Sequence, residues 1–154
     1  MSIRKTLVCL AALLVTLLSA LPAAAQPSTH QWVRVKNATA GTIKISYLSP
    51  AGQKWEDLVA GDYTDADVAR GPAGNFLVQR VSSGTVNQSN TKLTTPPANP
   101  TSEVIRVNNA TLAAFNISWY SPGGQQWATL NPSFYTDVTI ARGPAGYLLL
   151  QFVP

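Results

Sequence analysis

The chain has 154 residues, 45% of them hydrophobic and only 12% charged, with a formal net charge of +4, one cysteine and one histidine. Its Lys and Arg residues are scattered rather than clustered, which excludes the basic stripe a nucleic-acid partner requires. One histidine with one cysteine leaves no ligand set for zinc.

Residues 1–25 open with Arg4 and Lys5, continue as an apolar run from Leu7 to Leu21 and close on Ala23-Ala24-Ala25. This is the pattern of a cleaved signal peptide, with the cut before Gln26. The apolar run is short of the roughly 20 residues a membrane span needs, so a retained anchor is the weaker reading. Cys9 leaves with the leader, and Val8 before it is not the small residue that precedes a lipidated cysteine. Loss of Arg4 and Lys5 leaves nine cationic against seven acidic side chains, close to +2. The expected product is secreted or periplasmic, free of disulfides, and without a membrane span once the signal is removed.

After a flexible N-terminus at 26–31, a first unit runs over 32–81 and a second over 104–154. Val33-Arg34-Val35-Lys36-Asn37-Ala38-Thr39 matches Ile105-Arg106-Val107-Asn108-Asn109-Ala110-Thr111 at an offset of 72 residues, which holds without a gap to Val81 and Val153. About half the aligned positions are identical, so the chain is an internal duplication. Between the units, residues 82–103 are polar and carry Pro96-Pro97 and Pro100. They read as a linker whose Pro-rich end is extended.

Within each unit, period-two alternation marks half-buried strands. Val33 and Val35 alternate with Arg34 and Lys36; Ile43, Ile45 and Tyr47 with Lys44 and Ser46; Phe115, Ile117 and Trp119 with Asn116 and Ser118. Ser49-Pro50-Ala51-Gly52 and Gly71-Pro72-Ala73-Gly74 carry turn chemistry, as do their copies, and predict two hairpins per unit. About five strands per unit follow, with no helix. A fifty-residue β unit without disulfide or metal buries too little surface alone. The expected fold is therefore all-β, a sandwich or barrel with pseudo-two-fold symmetry and one shared core. The apolar run Tyr147–Val153 suits a central strand, and its more polar copy Asn75–Val81 a place nearer an edge.

The chemical inventory is thin. His30, the one histidine, sits in the segment expected to be flexible and leaves no base for a Ser-His-Asp triad. Asp65 and Asp137 are the acidic residues kept in both units, and Arg34/Arg106 and Arg70/Arg142 the basic ones. One Asp–Arg pair per unit, Asp65 with Arg70 and Asp137 with Arg142, is expected to pin a turn; contact with a sugar hydroxyl or an anion is the alternative. Opposite charges of this kind do not make a general acid and base. Asp62, Asp65 and Asp67 lack the spacing of a calcium loop and read as a solvated loop. Asn37-Ala38-Thr39, Asn109-Ala110-Thr111, Asn116-Ile117-Ser118 and Asn87-Gln88-Ser89 match the glycosylation sequon, but Asn37 and Asn109 suit turn residues closing the first strand.

Trp55 and Trp127 follow the Pro-Gly and Gly-Gly turns at matching positions. Packed inside they would be core; exposed, they would be platforms for a sugar ring, with Gln53 and Gln125 on the same strand face and Tyr63 and Tyr135 as further polar contacts. Two functions compete: a non-catalytic module that binds glycans or cell-surface polymers, and a structural or protein-interaction component of the envelope. A hydrolase lacks its residues, and neither cofactor nor metal is implied. The units also differ in charge, since Lys44, Lys54, Glu56, Asp57 and Arg80 are answered by Asn116, Gln126, Ala128, Thr129 and Phe152. If one unit alone carries function, the less charged second is the better candidate for an apolar contact.

Overall fold

A computed structural model describes residues 28–85, 90–97 and 101–154; the signal sequence, Asn87 and Pro100 lie outside the described residues. The described residues form ten strands, with the clearest inward–outward alternation at His30–Asn37 and Leu148–Val153. The first unit supplies β1 (His30–Asn37), β2 (Ile43–Ser49), β3 (Gly52–Leu58), β4 (Tyr63–Ala69) and β5 (Phe76–Val81). The second supplies β6 (Ser102–Ala110), β7 (Phe115–Ser121), β8 (Gly124–Leu130), β9 (Tyr135–Ala141) and β10 (Leu148–Val153).

They form a sandwich of two five-stranded sheets, ordered β4-β1-β10-β7-β8 and β3-β2-β5-β6-β9. Moving every strand by one unit converts the first order into the second, so the pseudo-two-fold is complete at the level of topology. Neither unit owns a sheet. Each places two strands in one layer and three in the other, and the halves are joined by the parallel pairs β1·β10 and β5·β6. A single unit would leave β1 and β5 with open edges in the middle of the molecule, and the backbone groups exposed there would need partners. One cluster of buried side chains, including Val35, Ile45, Phe76, Val107, Ile117 and Phe152, fills the space between the layers.

Four expectations are corrected. The β5 strand is central rather than near an edge, because Phe76 and Val78 are fully buried and β6 pairs alongside. The Gly71–Gly74 turn is not a hairpin: β4 and β5 enter different sheets, so the turn is a corner of the sandwich. Among the described residues hairpins form at Ser49–Gly52 and Ser121–Gly124; Ser49 Oγ donates to the Gly52 carbonyl at 2.8 Å and Gly52 takes φ 107°, a value few other residues adopt. Strand β1 already begins at His30, with Gln31 fully buried, so the end of the 26–31 segment is part of the sheet. The second unit likewise begins early, with β6 starting at Ser102.

The Asn-Ala-Thr tripeptides close β1 and β6 from the inside. Asn37 is fully buried, and its Nδ2 donates to the Gly41 and Leu58 carbonyls at 2.7 and 2.8 Å. Its Oδ1 accepts from the Thr39 amide and hydroxyl at 3.0 and 2.6 Å. Leu58 belongs to the opposite sheet, so one amide ties the two layers together. Asn109 repeats the arrangement with Ala113, Leu130 and Thr111. Side chains so enclosed hold a turn and offer no attachment point for a glycan.

Candidate functional site

Trp55 and Trp127 lie on β3 and β8, the edge strands at opposite ends of the two sheets, each paired in register with a buried serine, Ser46 or Ser118. Their surroundings differ. The chain leaving β5 passes over Trp55 so closely that a Cβ added to Gly84 would stand 2.6 Å from its Cδ1. Trp55 is half-buried in consequence. Trp127 keeps 66% of its surface in solvent.

Gln125 is exposed two residues before Trp127 on the same strand face, and Tyr120 stands opposite it in register, also exposed. Beside the indole a cavity of about 520 Å³ is lined by Asn116, Trp127, Ala128, Thr129, Val153 and Pro154. Its polar wall is hydrogen-bonded: Thr129 Oγ1 donates to Asn116 Oδ1 at 2.7 Å, and Asn116 Nδ2 donates to the Pro154 main-chain oxygen at 2.6 Å. In the first unit the same two positions are an ion pair, Lys44 Nζ to Asp57 Oδ1 at 2.7 Å. The second unit thus has Asn116 and Thr129 in place of that ion pair, in a groove next to an exposed indole.

The structure does not bring Tyr63 or Tyr135 to the tryptophan of the same unit. Strand β4 lies in the sheet opposite β3, and β9 in the sheet opposite β8. Spacing along the chain could not place these tyrosines, and the crossover between layers separates them from the tryptophans.

Tyr63 instead belongs to a second assembly. Arg34 grips Asp65 at two points, Nε to Oδ1 at 2.7 Å and Nη2 to Oδ2 at 2.9 Å. Its guanidinium is stacked between the rings of Tyr63 and Tyr147, 4.2 and 3.5 Å from their centroids. The neighbouring carboxylate holds the Arg34 pKa above its ordinary value. The expected partnership of Asp65 with Arg70, and of Asp137 with Arg142, is thus corrected. The partner comes from the adjacent strand, Arg34 or Arg106, because β1·β4 and β6·β9 put those residues directly opposite. Arg70 Nη1 pins its turn through the Gly74 carbonyl at 2.7 Å, and Arg142 does so through the Gly146 carbonyl.

Each member of the acidic cluster has a side-chain partner. Asp62 binds Lys92, Asp65 binds Arg34, and Asp67 meets His30 Nδ1 at 2.6 Å. Among the described residues no three His, Cys, Asp or Glu side chains gather as a metal site, and no helix is long and apolar enough to cross a membrane. Sequence reasoning overlooked Tyr147 and Asn116 as site residues. Their one visible signal was divergence, since their copies are Asn75 and Lys44. No family model, curated protein or solved structure matches this chain.

Proposed function

We propose that the protein is an exported, non-catalytic binding module whose contact point is Trp127, with a glycan or cell-surface polymer as ligand. The observation that carries this reading is the 66% exposure of a tryptophan that stands beside a polar groove. The C–H face of a sugar ring is flat and apolar and stacks on an indole, while its hydroxyls need neutral donors and acceptors at the rim. Gln125, Tyr120 and the Asn116–Thr129 pair supply that rim.

Only the second unit is assigned a site, because Gly84 covers the corresponding indole of the first. The test is a titration of the protein's tryptophan fluorescence with soluble glycans. Saturable quenching by one glycan class, abolished by Trp127→Ala and retained by Trp55→Ala, is the expected result. Emission indifferent to every glycan sinks the reading.

A further inference from the structure

Residues 91–93 of the linker are laid against the open edge of β4. The Asp65 amide donates to the Thr91 carbonyl at 2.6 Å, and the Thr91 amide donates to Thr64 Oγ1 at 3.1 Å. The Leu93 amide donates to Asp65 Oδ2 at 2.6 Å, while the Leu93 carbonyl accepts from Arg34 Nη2 at 3.2 Å and from the Tyr147 hydroxyl at 2.8 Å. The Arg34–Asp65 pair thereby reads one residue's backbone from both sides, and Lys92 is held by Asp62 and lies over the Tyr63 ring at 3.8 Å. Under this cover Thr64 is fully buried and Asp65 retains 1% exposure.

Strand β9 is the same edge 72 residues on. Arg106 grips Asp137 in the same two-point geometry, at 2.7 and 2.6 Å, and its guanidinium stacks 4.0 Å from the Tyr135 centroid. None of the described residues lies along this edge as 91–93 lie along β4. The Asp137 side chain is 41% exposed, and Phe134 and Tyr135 expose 65% and 58% of their surface. Unpartnered strand edges accept added strands, because their outward N–H and C=O groups are already aligned.

We infer that the β9 edge is a strand-addition site for an extended, uncharged peptide segment of a partner protein, docked in the register that residues 91–93 show on β4. The ligand chemistry follows from what differs between the edges. Phe134 stands where Asp62 holds Lys92, so the occupant carries an apolar residue at that position instead of a cation. Asn75 replaces Tyr147, so one hydrogen bond to the occupant's carbonyl is lost and Arg106 carries it alone. A second β9 is the poorer occupant, because a two-fold β9·β9 ladder sets both Asp137 carboxylates on one face.

The chain's own segment 90–97 supplies the probe, as a synthetic peptide and as its Lys92→Phe version, titrated into ¹⁵N-labelled protein. The Lys92→Phe peptide is expected to shift the amides of Thr136 to Thr139 and to bind about tenfold more tightly than the unmodified one. The double variant Phe134→Asp with Asn75→Tyr, which rebuilds the first unit's chemistry, reverses that order. Thr139→Pro, which removes an outward N–H and leaves the pairing to β6 in place, blocks both peptides without unfolding the protein. The inference is overturned if the shifts fall elsewhere, if neither protein binds either peptide, or if sedimentation shows a dimer that Thr139→Pro abolishes.

Discussion

The first unit is a closed version of the second. One indole is roofed by Gly84 and its β4 edge is sealed by residues 91–93, whereas the equivalent indole and edge of the other unit stand in solvent. Both covers come from one segment, the connection between units. The connector runs past the first unit, and none of the described residues does the same beside the second. Duplication made the halves equivalent, and the connector broke that equivalence. The surfaces left open are where binding is proposed.

The strongest test of equivalence is at the buried asparagines. Asn37→Ala and Asn109→Ala each remove four hydrogen bonds and strand one buried carbonyl, that of Leu58 or Leu130, an expected loss of about 3 kcal/mol apiece by denaturant unfolding. Equal losses support the pseudo-two-fold, and a loss at one site alone breaks it. The arginines should part company. Arg34→Ala leaves Asp65 inside without its cation and releases the linker, at a cost of about 2–3 kcal/mol. Arg106→Ala affects a solvated pair, and the same denaturant unfolding should register a much smaller loss there. Matching values would mean that the linker contributes nothing to the first pair.

Gly84→Ala pushes a methyl into the Trp55 indole and strains a φ of 149°, with about 1–2 kcal/mol of destabilisation and a rise in iodide quenching. Unchanged quenching would show that Gly84 is not the roof. The smallest effect concerns pH. Hydrogen bonding to Lys92, then to the Tyr63 amide, holds the Asp62 carboxyl below its ordinary 3.8. A depressed folded-state pKa stabilises above the unfolded value and is lost as pH falls through the folded one. Amide-exchange protection of Thr91 and Leu93 should thus be flat from pH 7 to 4 and decline only below about 3.8. A decline near neutrality would assign the anchoring to another group.

Much of the architecture was legible along the chain. Alternation at Val33 and Val35, the Ser-Pro-Ala-Gly turn and the 72-residue offset each follow from local geometry, which needs only neighbouring residues. The candidate site was half legible: Trp127 and Gln125 share a strand face because period two places them there. Tyr135 was misjudged because the strand that carries it crosses to the other sheet, and no local pattern records which layer a strand enters. The aspartates' partners were misjudged for the same reason, since the choice between Arg34 and Arg70 is made by strand pairing and not by distance along the chain.

By itself, then, the sequence determined that there are two copies, that each is five strands and that one core must serve both, because alternation, turn chemistry and insufficient burial are properties of segments. Only the tertiary structure decided that β5 is central, that Asp65 is sealed while Asp137 is open, and that one of two matching tryptophans is bare. Those differences arise where the linker lies, and a polar, Pro-containing segment carries no periodic signal of the surface it will cover.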